Sequence, residues 1–355
     1  MNTRQKFSSQ LLRWNKTRNK RQMPWKGEKD PYKIWLSEII LQQTRVEQGL
    51  AYYNNFIKTF PTIHQLAQAP DEKVFKLWEG LGYYSRCRNL LATARFISTE
   101  LNGKFPDSYD NIKALKGVGP YTAAAIASFA YNLPHAVVDG NVFRVLARVF
   151  GISKAIDSTE GKKQFTALAE ELLDKKQPGL YNQAIMDFGA VVCKPAAPLC
   201  DTCVFKKDCY AFQHHKVTAL PVKEKKISIK KRWFYYLVLQ HNNTIAIRQR
   251  TEKDIWQGLY EFPLIETATA VDTTVILKQA EQQKWLKAKS YSVITISPLH
   301  TQQLSHQHIA GQFIVIKLKA KPAAGDWQWI SPEELQRYTF PRMLRHFIKD
   351  GPGVY

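Results

Sequence analysis

Apolar positions in the first part of the chain recur at helical spacing, and those in the last part alternate as in strands. Leu11, Leu12 and Trp14 mark a first helical stripe. Asp30-Pro31 is a cap followed by a first-turn proline. It predicts a helix through about Gln48 in PYKIWLSEIILQQTRVEQ. The run from Tyr121 to Tyr131 predicts a buried helix stopped by Asn132 and Pro134, and Val142 to Phe150 an amphipathic one ended by Gly151. Beyond the basic stretch Lys216 to Arg232, the segments Trp233–Gln240, Thr244–Arg248, Tyr291–Ser297 and Gln312–Lys319 predict strands. Ser331-Pro332-Glu333-Glu334 has the form of a capping box before a closing helix. The division that follows is a mainly α domain at 1–216, a basic linker at 217–229 and a smaller α/β domain at 230–355.

Length and charge agree with that division and narrow the partner. A chain of 355 residues allows two domains with ample core. A formal charge of +21 and an isoelectric point near 9.7 favour a polyanion. No apolar run approaches the ~18 residues of a spanning helix, so a membrane is not the expected partner. The first 27 residues hold several Lys and Arg and no acid, as a transit peptide would. The stripe at Leu11, Leu12 and Trp14, and Pro24-Trp25 leading into the next helix, point instead to a folded basic segment of an intracellular protein.

Candidate chemistry is concentrated at a few places. Gly117-Val118-Gly119-Pro120 is a glycine turn feeding a helix, where bare N–H groups can meet an anion. Asp139 stands just before the helix that begins near Val142. Taken singly, the turn is also an ordinary tight connection and Asp139 an ordinary N-cap. Glu38 lies four residues after Ile34 and three before Leu41, hence on a face with apolar neighbours. Burial there would raise its pKa toward that of a general acid; the edge of an amphipathic helix fits the spacing equally. Cys193, Cys200, Cys203 and Cys209 are separated by six, two and five residues. A zinc ribbon has two Cys-x-x-Cys knuckles, and this run has one. Cys87 stands apart as a buried thiol.

Together these motifs resemble the helix-hairpin-helix DNA glycosylases, and WLSEIILQQT is similar to the WLSEVMLQQT stretch of the A/G-specific adenine glycosylases, the MutY family. The resemblance implies a helix-hairpin-helix glycosylase domain with an Fe–S loop. It implies that the hairpin at Gly117 and Gly119 holds a DNA phosphate with a bound monovalent cation. It makes Glu38 the acid/base that protonates adenine at N7, with Asp139 stabilising an oxocarbenium-like sugar and Tyr121 and Asn141 completing the catalytic set. Lyase-competent relatives such as endonuclease III carry a lysine where this chain has Tyr121, which implies a monofunctional enzyme. Gln43 and Thr44, Tyr83 in WEGLGYYSR, Trp25, and Gln183 in YNQAIMDFGA match adenine- or DNA-contacting positions. Tyr83 is the wedge beside the lesion and Gln43 fills the space of the flipped base. Lys26 replaces an arginine found in some relatives.

The cysteine spacing resembles the loop that holds a 4Fe-4S cluster in endonuclease III and MutY proteins. In the last domain, WQGLYEFP resembles the WxGxWEFP turn of Nudix folds, while the metal-binding Arg-Glu-x-x-Glu-Glu run of Nudix hydrolases is absent. This implies a Nudix-like reader of 8-oxoguanine, with Ser305 and His306 matching the Phe-Ser-His loop and Leu304 replacing its Phe. The expected protein is a monomeric base excision repair enzyme of the bacterial cytoplasm, acting at the nucleoid on double-stranded DNA with adenine opposite 8-oxoguanine or guanine. The alternatives are an endonuclease III-like pyrimidine glycosylase/lyase, a silent DNA-binding module and a nucleotide pyrophosphatase. Tyr121 and the second domain, the paired carboxylates, and the missing metal box argue against them in turn.

Overall fold

A computed structural model describes residues 3–224 and 228–350, so residues 225–227 of the expected linker lie outside it. The chain divides into two compact units, Met1–Gln68 with Arg88–Lys226, and Ala69–Cys87 with Ile227–Tyr355. In chain order the helices are α1 (Thr3–Thr17), α2 (Pro31–Leu41), α3 (Val46–Thr59), α4 (Ile63–Gln68), α5 (Asp71–Trp78), α6 (Tyr84–Glu100), α7 (Tyr109–Ala114), α8 (Pro120–Tyr131), α9 (Gly140–Phe150), α10 (Thr159–Leu172), α11 (Pro178–Val191) and α12 (Tyr210–Gln213). The strands and last helices follow as β1 (Lys230–His241), β2 (Thr244–Gln249), β3 (Tyr260–Glu261), β4 (Leu264–Thr267), α13 (Thr273–Gln282), β5 (Tyr291–Ile296), β6 (His300–Gln303), β7 (Gln307–Leu318), β8 (Gln328–Ile330) and α14 (Arg342–Asp350).

The first unit is helical, as the pattern predicts. Phe7, Leu11 and Trp14 of α1 enter a core shared with Val145, Leu146 and Val149 of α9 and Tyr181, Ile185 and Phe188 of α11. The basic N-terminal segment is therefore built into the unit. Asp30 caps α2 by accepting the Tyr32 N–H at 2.9 Å, with Pro31 at its first turn. The expected helix to Gln48 breaks at Leu41. Gln42 leaves helical geometry and Gln43 takes φ 56°, a left-handed conformation that ends an α-helix. The chain re-enters helix at Val46. In α2, Tyr32 and every residue from Ile34 to Ile40 are buried, so of the two readings open to Glu38 the structure bears out enclosure and not the edge of an amphipathic helix.

The second unit is an α/β sheet assembly, again as expected. The sheet runs β3-β2-β1-β7-β5, with β4 on β1, β6 on β7 and β8 on β2. β1 and β7 pair in parallel from Lys230↔Gln307 to Gln240↔Lys317, and their buried faces carry Leu237, Leu239, Ile314 and Ile316. Ser331 and Glu334 form the expected capping box, but the turn they open is a 3-10 helix, Pro332–Arg337. The closing α-helix, α14, starts later, at Arg342. The segment 69–87 belongs to this unit: Glu79, buried, accepts the Phe340 N–H at 3.3 Å and pairs with Arg345 at 3.2 Å and Lys76 at 3.0 Å.

Candidate active site

Three side chains from three helices meet in the first unit. Glu38 comes from the middle of α2, Tyr121 from the first turn of α8 and Asp139 from the N-cap of α9. Glu38 is 8 % exposed. Burial pushes its carboxyl to about 7; a hydrogen bond from Tyr121 opposes the rise and the charge of Asp139 adds to it. The Tyr121 hydroxyl also lies 3.4 Å from the Met186 sulfur on α11. It has one proton to give, and the carboxyl is the stronger acceptor. Burial, then Glu38 and Asp139, drive the phenol well above its usual range, so Tyr121 stays a neutral donor.

Asp139 accepts the Val142 N–H at 2.8 Å on one oxygen and the Asn141 amide at 2.7 Å on the other. The N-cap predicted from sequence is therefore present, and Asn141 sits beside the acid it was grouped with. A helix N-terminus alone would favour the charged form. Here burial outweighs these donors and the nearby Arg144 charge, and the net effect raises the Asp139 pKa. Glu38, enclosed and pushed to about 7, thus lies within electrostatic reach of Asp139, whose own pKa is raised at a helix N-terminus.

Residues that sequence reasoning passed over hold this arrangement. Arg144, one turn into α9, donates to Asn141 Oδ1 at 2.8 Å, the Gly189 carbonyl at 2.8 Å and the Cys193 carbonyl at 2.7 Å. Asn182 is fully buried and uses its amide on Ser128 at 2.9 Å and the His135 carbonyl at 2.8 Å. Its oxygen accepts the Val137 N–H at 3.2 Å, which fixes the segment leading to Asp139. At Gly189 an added Cβ would stand 2.6 Å from Asn141 Cβ, so α11 crosses the start of α9 at a distance only glycine permits. A paired arginine at positions 144 and 148 of an otherwise apolar helix is the one sequence signal that pointed here.

The hairpin joins α7 to α8. Gly117 has φ +80°, the region that favours glycine, and Gly119 caps α8 with nothing within 4 Å of where a Cβ would be. Thr93 braces the turn by donating to the Lys116 carbonyl at 2.9 Å. Open N–H groups at a helix start suit an anion. Trp25 is buried edge-on to Tyr53, with centroids 5.4 Å apart. Gln183 lies on α11 three residues before Met186, on the face that meets Tyr121. Gln43 is exposed at its positive φ, with Thr44 partly buried next to it.

Cys193, Cys200, Cys203 and Cys209 are partly buried free thiols, and Cys193 and Cys209 meet Arg148 near the end of α9. Arg148 donates to the Lys194 and Pro195 carbonyls at 2.7 and 3.1 Å and lies 3.6 Å from the Cys193 sulfur. The Phe205 N–H points at the Cys203 sulfur at 3.4 Å. Burial pushes the Cys203 thiol up to about 12, with Cys193, Cys209 and Cys200 adding to the rise in that order. Four thiols that feel one another, with an amide and a guanidinium aimed at their sulfurs, fit the donor set of a thiolate-bound cluster. Among the described residues, no three His, Cys, Asp or Glu side chains converge to hold a single metal ion. Cys87 is fully buried, as expected.

In the second unit Tyr83 is 45 % exposed at φ 50°, and its hydroxyl hydrogen-bonds the Ser305 hydroxyl. Ser305 and His306 are exposed in the turn between β6 and β7. Two of the sequence-selected residues thus meet, although far apart in the chain.

Comparison with known proteins finds two families along the chain. Residues 36–175 match the HhH-GPD superfamily of base excision DNA repair proteins, and residues 234–350 match the NUDIX domain. The chain is 35 % identical over 303 residues to the adenine DNA glycosylase of Buchnera aphidicola subsp. Baizongia pistaciae, covering 84 % of this chain and 83 % of that protein. It is 43 % identical over 216 residues to the adenine DNA glycosylase of Homo sapiens, covering 58 % of this chain and 39 % of that one. A thermostable thymine-DNA glycosylase is similar in structure, with a TM-score of 0.55 and 30 % identity over 59 % of this chain and 97 % of that protein.

Proposed function

The chain belongs to the adenine DNA glycosylases, enzymes of base excision repair, and from that premise we propose how its own residues do the work. The reading rests on one observation above the others: an enclosed carboxyl poised near 7, hydrogen-bonded by a neutral phenol and set beside a capped aspartate. Glu38, protonated, gives its proton to the leaving adenine. The N-glycosidic bond breaks with its electron pair going to the base, and the Asp139 carboxylate stabilises the cationic sugar. Glu38, now a carboxylate, takes a proton from the water that adds to the sugar carbon. Protonating the leaving group on one side and steadying charge on the other is the division of labour of paired carboxylates in glycoside hydrolysis. With Tyr121 and no amine at the first turn of α8, the enzyme is monofunctional.

The substrate is duplex DNA with adenine opposite 8-oxoguanine or guanine. The Gly117–Gly119 hairpin binds a phosphate with a monovalent cation, and Gln183 and Trp25 line the adenine pocket. Gln43 fills the space left by the flipped adenine, Thr44 contacts the DNA, and Tyr83 wedges beside the lesion. Exposed side chains at left-handed φ, as at Gln43 and Tyr83, store strain of the kind found at functional sites. Ser305 and His306 read the opposite base, with Ser305 accepting from the N7 proton that 8-oxoguanine has and guanine lacks. We assign 1–216 to catalysis, 217–229 to a linker and 230–355 to lesion reading, in a monomer of the bacterial cytoplasm. No helix among the described residues is long and apolar enough to cross a membrane. The four cysteines would hold a 4Fe-4S cluster, which supplies a rigid charged node when bound; Arg148 and the Phe205 amide would support it.

The test is adenine release under single-turnover conditions from duplexes with 8-oxoguanine, guanine or thymine opposite the adenine. Release opposite the first two, without strand cleavage, is expected. Glu38→Gln and Asp139→Asn should each lower it by ~10²–10⁴-fold or more while duplex binding persists. Near wild-type rates in Glu38→Gln would overturn the assignment.

A further inference from the structure

Asp187 of the first unit holds a carboxylate that accepts from four side-chain donors, and the reaction as described gives it no part. It lies on α11 one turn after Gln183 and is fully buried. A buried carboxylate requires compensating donors. Oδ1 accepts from Arg21 Nη1 at 2.9 Å and Gln183 Nε2 at 3.0 Å, and Oδ2 from Asn19 Nδ2 at 2.8 Å and Lys26 Nζ at 3.0 Å. Three of the four donors come from the segment between α1 and α2 that also carries Trp25. One buried acid therefore ties that wall of the pocket to α11.

The bond to Gln183 has a chemical consequence. An ionised carboxylate only accepts, so the Gln183 amide must turn its nitrogen toward Asp187 and its oxygen away. An amide without such a partner could present either end. Met186, three residues on and so on the same side of α11, lies 3.4 Å from the Tyr121 hydroxyl, which in turn hydrogen-bonds Glu38. What Gln183 has left to offer as an acceptor is its Oε1. That atom pairs with a donor on the base, such as an exocyclic amino group, and repels a carbonyl at the same position.

We propose that Asp187 is a positioning residue that fixes the Gln183 amide and thereby makes the pocket select a 6-amino purine over a 6-oxo purine. The proposal rests on the reading of Gln183 as the residue that meets the base. It goes further in naming what gives that amide its direction, and the test keeps the two apart.

Single-turnover base release is measured on duplexes with deoxyadenosine or deoxyinosine opposite 8-oxoguanine. The proteins are wild type, Gln183→Ala, Asp187→Asn and the exchanged pair Gln183→Glu/Asp187→Asn. Asp187→Asn keeps the shape but frees the amide to turn, so the adenine-to-hypoxanthine ratio should fall about three- to tenfold, the worth of one neutral hydrogen bond. The exchanged pair places the donor on 187 and an acceptor-only group on 183, and should restore the ratio. Thermal melting separates unfolding from lost selectivity, and the exchanged pair, which keeps the cluster's net charge, supplies the reading where Asp187→Asn does not fold. Equal loss on both substrates in Asp187→Asn, or no recovery in the exchanged pair, would overturn the proposal while leaving Gln183's role intact. A wild-type ratio in Gln183→Ala would remove the base-reading role itself, and with it this inference.

Discussion

A carboxyl enclosed among buried side chains keeps its proton to a higher pH than a solvated one. Glu38 is such a group, and its carboxyl rises from the usual carboxylate range to about 7, burial being the main cause. The folded protein therefore holds a proton there, between about pH 4.5 and 7, that the unfolded chain has released. Stability must fall as pH rises through that window, by an amount of order 3 kcal/mol once both states are ionised. Glu38→Gln has no charge to bury, so it should melt at a higher temperature than wild type at pH 8, with the advantage shrinking toward pH 5. Melting curves across that range check it; a constant difference would mean that burial does not govern this group. The same protonation should make adenine release decline as pH climbs through about 7, since the acid form is the one that protonates the base.

Between helices, the decisive contact is the crossing of α11 over the start of α9. Gly189 lets the two backbones close until Asn141 is in contact, and Arg144 then bonds Asn141, Gly189 and Cys193 at once. Gly189→Ala would set a methyl 2.6 Å from Asn141 Cβ. Relief requires moving the N-terminus of α9, and overpacking of this kind costs about 1–3 kcal/mol. Because Asp139 caps that terminus, the rate should suffer more than the fold. We expect a Tm lowered by several degrees and single-turnover release slowed by at least tenfold, an estimate from the sensitivity of catalysis to ~1 Å misplacement. A variant with a lowered Tm and an unchanged rate would show that the crossing supports only the fold.

At the scale of the molecule, a charge of +21 makes electrostatics the first term in any encounter with DNA. Affinity for undamaged duplex should fall linearly in log–log plots against salt, with a slope near −0.9 for each phosphate neutralised. A slope near zero in binding titrations would sink the polyanion reading. Discrimination should behave differently. Ser305 is hydrogen-bonded to Tyr83 within the second unit, which also includes Glu79 and its partners Phe340 and Arg345. Ser305→Ala removes one neutral hydrogen-bonding group, so the preference for 8-oxoguanine over guanine should shrink by roughly tenfold at most. Release opposite guanine should persist, and a preference left unchanged would take lesion reading away from this hydroxyl.

Local chemistry was written in the chain. The cap at Asp30, the glycines at 117 and 119, the N-cap at Asp139 and the α8 stop at Asn132 all depend on neighbours a few residues away, and each formed as its sequence predicts; the parallel pairing of β1 with β7 joins residues some 77 positions apart and was not legible there. Glu38 could be selected by its face and its resemblance, but its enclosure could not, because burial on all sides is set by other helices. The break at Gln43 was hidden because nothing in LQQT forbids helix, and neither its left-handed turn nor the bond from Gln42 to Thr122 of α8 is written in that stretch. Asp187 was least visible of all. Its donors Asn19, Arg21 and Lys26 lie 161 to 168 residues earlier, so neither partner explains itself in its own stretch of sequence. The sequence determined which local structures and which reactive groups exist; tertiary packing alone decided which groups are dry, which are paired, and therefore which proton Glu38 keeps and which way Gln183 faces.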